Sequence, residues 1–68
     1  MDKTFVVGFI SFFDNELFLE KVTAKSFDEA ISKHSKIGDD WFSLGMPLNE
    51  IKEEFHNQDA MVEVIEIE

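Results

Sequence analysis

Residues 5–13, FVVGFISFF, form an apolar run in which both alternating sets of positions are hydrophobic. Successive strand side chains point to opposite faces, so Phe5, Val7, Phe9 and Phe13 line one surface while Val6, Ile10 and Phe12 line the other. A strand that is apolar on both faces belongs inside a sheet. The pattern therefore predicts a central first strand over about residues 3–13, paired on both edges. Asp14 and Asn15 tolerate left-handed backbone and predict a hairpin turn. The β-formers of residues 16–24 (ELFLEKVTA) predict a second, antiparallel strand, with Leu17 and Leu19 on one face and Phe18 and Val22 on the other.

The period changes at Ser26. Ser26-Phe27-Asp28-Glu29 reads as a capping box, in which the Ser26 hydroxyl accepts the amide proton at the third helical position and Glu29 reaches back to the amide of Ser26. Phe27, Ala30, Ile31 and His34 recur at helical spacing, and Lys33 and Lys36 sit where the helix dipole favours cations. A first helix over about 27–36 is predicted, ending before Gly38. Residues 39–45 (DDWFSLG) fit a short helical turn aiming Trp41, Phe42 and Leu44 at the sheet, which is the preferred reading, or an exposed aromatic loop. Pro47 opens a second helix, with Leu48, Ile51 and Phe55 on its inner side and Glu50, Glu53, Glu54 and Asn57 on its outer side. Asn57-Gln58-Asp59 ends it. Residues 60–67 (AMVEVIEI) predict a last strand, with Val62 and Val64 on one face and Met61, Ile65 and Ile67 on the other. The expected architecture is a single α+β domain spanning 1–68, in the order β-β-α-α-β. Its three-stranded sheet contains an antiparallel hairpin and carries both helices on one face, in two layers.

Size makes the uncovered face of that sheet important. A chain of 68 residues buries only about 60% of its unfolded surface, and without cysteine it has no disulfide to add stability. Oligomerisation is the expected supplement. Helices on one face leave Val6, Ile10 and Phe12, or else the odd-numbered set, without a lid; Val6, Ile10 and Phe12, with Phe18 from the second strand, are the expected homo-oligomer interface, closed by sheet-to-sheet pairing across a twofold axis. The absence of cysteine fits a reducing compartment. The start MDKTF lacks the basic segment of a signal peptide, and no apolar run approaches the roughly 20 residues that span a bilayer. A soluble cytoplasmic protein is expected.

Charge narrows the partner. The chain has 15 acidic residues against 6 basic ones, for a net charge of −9, and it contains no arginine. Residues 1–38 hold 6 acids and 5 lysines, whereas residues 39–68 hold 9 acids and Lys52 alone. Nucleic-acid binding relies on neutralising phosphates with Lys and Arg, so direct contact with nucleic acid or an anionic membrane is not expected. A larger protein with a basic surface is the expected partner. Glu50, Glu53 and Glu54 fall within about one helical turn and, with Asp39, Asp40 and Asp59, form the candidate partner-binding surface. They either imitate the phosphates of a nucleic-acid strand or make a solvated face that confers solubility.

Catalytic patterns are missing. His34 and Ser35 are adjacent, and adjacent helical residues do not face each other. Glu53 and His56 stand at the Glu-x-x-His spacing of di-iron bundles, but those sites need two such motifs and further carboxylates. Asp39-Asp40 lacks the ligand series of a calcium loop, and the glycines are isolated, so no phosphate-cradling loop is present. The sequence points to no catalytic residue, metal site or cofactor, and hence to a protein that is not an enzyme.

The stretch VVGFISFFDNELFLEKVTAKSFDEAISKH covers a little under half the chain. With its aromatic hairpin, Asp-Asn turn and capped helix, it resembles the small acidic accessory proteins encoded by bacteriophages. The resemblance implies a host-takeover or counter-defence role in the host cytoplasm, in which a compact acidic protein blocks a host defence or nucleic-acid-handling protein. It carries no functional residue with it. The alternative is a structural accessory protein that self-assembles through its apolar sheet face.

Overall fold

The computed structural model describes residues 2–38 and 40–67. Asp39, one of the candidate acidic residues, lies outside them. The elements are β1 (Lys3–Ser11), β2 (Glu16–Ala24), α1 (Phe27–Ser32), α2 (Leu48–Asn57) and β3 (Ala60–Glu66). They form one antiparallel sheet in the order β2-β1-β3, with β1 central. Alternation on β1 divides the molecule: Phe5, Val7 and Phe9 are buried in a core shared with Ile31, Ile51 and Phe55. Val6, Gly8 and Ile10 face the other way. The helices cover only the first of these faces.

The hairpin is wider than expected. β1 stops at Ser11, which pairs with Glu16, so the connection comprises four residues, 12–15. The Asn15 amide donates to the Ser11 carbonyl at 2.8 Å, with Asn15 in the left-handed region at φ 52°. Phe13 is accordingly not a strand residue and is 81% exposed. Pairing Ser11 rather than Phe13 with Glu16 shifts the register by two residues, and an even shift keeps every side chain on its face.

The first helix is shorter than its hydrophobic period implied, ending at Ser32. Its cap also differs. The Ser26 hydroxyl bonds to the Asp28 carboxylate instead of a helical amide, and Glu29 reaches one residue further back, accepting from the Lys25 amide at 3.0 Å. The Ser32 hydroxyl donates to the Glu29 carbonyl at 2.8 Å, a local bond that competes with helix continuation. Beyond it the chain tightens: the His34 amide donates to the Ile31 carbonyl at 3.1 Å and the Ile37 amide to the His34 carbonyl at 3.0 Å.

Residues 40–47 form bends and turns, not the expected helical turn. Phe42 is buried and Trp41 half-buried, as expected of residues aimed at the sheet, whereas Leu44 is 60% exposed. The segment is docked by aromatic contact: Trp41 stacks on Phe55 with centroids 4.8 Å apart, and its ring lies 5.4 Å from Phe9 in an edge-on arrangement. Pro47 precedes α2 at the N-cap with ψ 150°. Ile51 and Phe55 are buried, while Glu50, Glu53, Glu54 and Asn57 are exposed. Asp59, at φ 60°, supplies the left-handed residue that turns the chain into β3.

Candidate functional site

The helix-free face of the sheet is built from rows of residues paired across the three strands. Leu17, Ile10 and Met61 form one row, Leu19, Gly8 and Glu63 the next, and Lys21, Val6 and Ile65 the third. The edge residues are open to solvent, Leu19 at 64% and Ile65 at 61% exposure, with Leu17 and Met61 also exposed. Gly8, which has no side chain, floors a shallow trough of about 250 Å³ between them. An alanine Cβ at this position would meet Leu19 Cδ2 at 3.0 Å and Leu17 Cδ1 at 3.7 Å, so the two leucines lean over the glycine.

Two of the four residues expected at an oligomer interface, Val6 and Ile10, lie in this trough. Phe12 does not. It follows the last residue of β1, its amide donates to the Asp59 carbonyl at 3.0 Å, and its ring stands edge-on to His56 at 6.4 Å. Phe18 belongs to the opposite face, because it pairs directly with Phe9 and cross-strand partners share a face. It packs against the core, with the Lys36 ammonium 4.8 Å from its ring centroid. Leu17 and Leu19 hold the open-face positions on β2. Their alternation was readable in the sequence; Lys21 and Glu63 gave no such signal.

The described acidic candidates Asp40, Glu50, Glu53, Glu54 and Asp59 are all exposed, and Glu50, Glu53 and Glu54 are neighbours on the outer side of α2. Asp40 and Glu54 line a recess beside Trp41 and Phe42. Glu53 lines a different recess with Lys52, His56 and Glu63, as the 100° turn between neighbouring helical residues requires. Glu50 lines neither, and Asp59 occupies the turn after α2. Lys52 also interrupts the acidic field by bonding Glu63 at 2.9 Å.

The polar groups inside the fold are used for structure. His34 is 1% exposed; its Nδ1 accepts from the Lys36 amide at 3.1 Å, and its Nε2 lies 3.1 Å from the Phe18 carbonyl. These partners select the tautomer protonated on Nε2, which donates to that carbonyl. Glu20 accepts from the Ser35 hydroxyl and, at 3.2 Å, from the Ser35 amide. Those bonds, with weaker help from the Lys36 charge, lower its pKa. The Asp28 carboxyl is lowered by the Ser26 hydroxyl and by the Gly45 amide, which donates to it at 2.7 Å. Both carboxylates fasten loops to neighbouring elements. Among the described residues, no group of three or more His, Cys, Asp or Glu is placed to hold a metal ion, and no helix is long and apolar enough to cross a membrane. Glu53 and His56 are both exposed on α2.

No known protein family, curated protein or solved structure matches the chain.

Proposed function

We propose that this chain is a small non-catalytic protein-binding module and that its helix-free sheet face is the surface it binds with. One observation carries the reading. Exposed apolar side chains from both edge strands, with half-buried Val6 and Ile10 between them, flank a trough over Gly8, and a large apolar patch is the usual mark of a contact surface. Scattered exposed hydrophobics would carry no such weight.

A second reading rests on the exposed Glu50, Glu53 and Glu54 of α2 and on Asp40 beside Glu54. In it, the acidic helix side meets a basic surface of a larger host protein and blocks it, in the manner implied by the phage resemblance. Lys52, which bonds Glu63 at 2.9 Å beside Glu53, interrupts this acidic field and ranks the reading second.

A photo-crosslinking residue introduced singly at Leu19, Ile65 or Glu54 of the full chain, expressed in bacterial cells, separates the two. Adducts from positions 19 and 65, and none from 54, are expected, their masses reporting the partner. Adducts from position 54 alone would transfer the function to the acidic side. Absence of adducts from all three would overturn the binding reading.

A further inference from the structure

We infer that the occupant of the open sheet face is a second copy of this chain, packed with β2 of each protomer over β3 of the other. The inference rests on the reading of this face as the contact surface, and charge decides the occupant. Within the strands, only Lys21 and Glu63 are charged among the residues on this face. One is basic and one acidic, so the face is neutral on a chain of net charge −9. Two such chains repel through most of their surface, and here they can meet without opposing like charges. A basic partner would gain nothing from a neutral face.

The positions of the two charges also choose the symmetry. Lys21 is on edge strand β2, in the row of Val6, and Glu63 is on edge strand β3, in the row of Gly8. A twofold axis lying in the interface and perpendicular to the strands would stack β2 on β2 and β3 on β3, bringing Lys21 toward the partner's Lys21 and Glu63 toward the partner's Glu63. An axis parallel to the strands stacks β2 on the partner's β3. Lys21 then lies one diagonal step from the partner's Glu63, about 7 Å along the strands and about 10 Å across the gap between packed sheets, a span that an extended lysine and glutamate cover together. Symmetry makes two such pairs, flanking Val6 and Ile10, which meet their own copies over the central strand in an aligned sheet packing. Three strands at about 4.8 Å spacing and about 3.3 Å per residue give a face on the order of 400 Å² in plan. Two such faces bury about 800 Å² in total, below the standard size of specific interfaces, so the dimer is weak and concentration-dependent.

The test is sedimentation of the full chain over a wide concentration range, for wild type, Lys21→Glu, Glu63→Lys, the double variant, and an equimolar mixture of the two single variants. Wild type is expected to dimerise, and each single reversal to weaken dimerisation roughly tenfold, by turning two attractive pairs repulsive. The double variant and the mixture are expected to recover to within about threefold of wild type, because each restores opposite charges across the interface. Recovery on mixing also shows that the single variants are folded. Net charge predicts something else: Glu63→Lys reduces the acidity of the chain and on that ground alone would strengthen dimerisation. Glu63 also bonds Lys52 within the chain at 2.9 Å, a bond that the partner's Lys21 shares or displaces, so Lys52→Gln is expected not to weaken the dimer, and a weaker dimer would overturn the inference. A monomer at every concentration, tighter association of Glu63→Lys, or failure of the mixture to recover would overturn the inference. A monomer whose crosslinks from positions 19 and 65 reach a different protein would overturn the second copy and leave the contact surface standing.

Discussion

Gly8 offers a direct test of whether the open face is free to adapt, through the substitution Gly8→Ala. Gly8 has no left-handed backbone angle, so alanine introduces no backbone strain. Glycine in a strand costs about 0.5–1 kcal/mol relative to alanine through the extra freedom of the unfolded chain. Against that gain stands one contact: the new Cβ lies 3.0 Å from Leu19 Cδ2, a few tenths of an ångström too close. The obstructing atom is the end of a side chain that is 64% exposed, and a small swing of Leu19 relieves it. A net stabilisation of about 0.5 kcal/mol is expected, raising the melting temperature by roughly 2–4 °C for a domain of this size. Thermal denaturation followed by far-ultraviolet circular dichroism, at a concentration where the chain is monomeric, measures the shift. A fall of more than about 2 °C would refute the reasoning by showing that Leu19 is held in place over the glycine. In that case the double variant Gly8→Ala/Leu19→Ala would be more stable than the two single effects combined imply.

Phe55→Ala should remove about 3–5 kcal/mol, because its buried ring joins Phe9, Trp41 and Phe42. Total stability for a small domain is on the order of 0.1 kcal/mol per residue, about 7 kcal/mol here, so urea titration should find the variant still folded in water but unfolding at roughly half the wild-type urea concentration or less; a cooperative transition close to that of wild type would contradict the core assignment. For Glu20, folding lowers the pKa, so its contribution is complete above the unfolded carboxylate range near about 4 and fades as pH falls through the lower folded value. The stability difference between wild type and Glu20→Gln should therefore be largest above about pH 5 and close on acidification; a difference that does not change with pH would show that the Ser35 bonds do not favour the ionised form.

Much of the fold was legible because β1 carries its own evidence of position. Apolar residues on both of its faces placed it between two other strands, and burial of Ile51 and Phe55 on α2 followed from spacing alone. The departures have both local and remote causes. The first helix has good helical spacing to His34, yet bonds to the Phe18 carbonyl, to the Lys36 amide and, at Ser35, to Glu20 hold the chain after Ser32 in a different path. Phe18 is grouped with Val6 and Ile10 in the expected interface, although a hairpin of either register sets the even positions of β2 against the odd positions of β1, and Phe18 pairs with Phe9. The outer side of α2, with Glu50, Glu53 and Glu54 exposed on it, was readable from helical spacing. At the open face, the exposed leucines of β2 could be read from alternation, whereas the relation between Lys21 and Glu63 exists only once β1 separates their strands.

The two surfaces also differ in how salt should act on them. Binding of the acidic helix side to a basic protein draws on attraction that extends over the Debye length, about 8 Å at physiological ionic strength, so added salt weakens it. Association of two identical chains through the neutral face reverses the sign. The residues away from that face carry the net charge of −9 in each copy, and their mutual repulsion is the long-range component that salt screens. The pairs between Lys21 and the partner's Glu63 lie at exposed edges, where such pairs contribute only about 0.2–1 kcal/mol; they select the orientation more than they hold the dimer. Apolar contact between the faces does not depend on screening and is slightly strengthened by excluded salts such as sulfate. Dimerisation that tightens as salt rises therefore identifies apolar contact opposed by charge repulsion, while dimerisation that loosens would mean the edge pairs themselves supply the affinity.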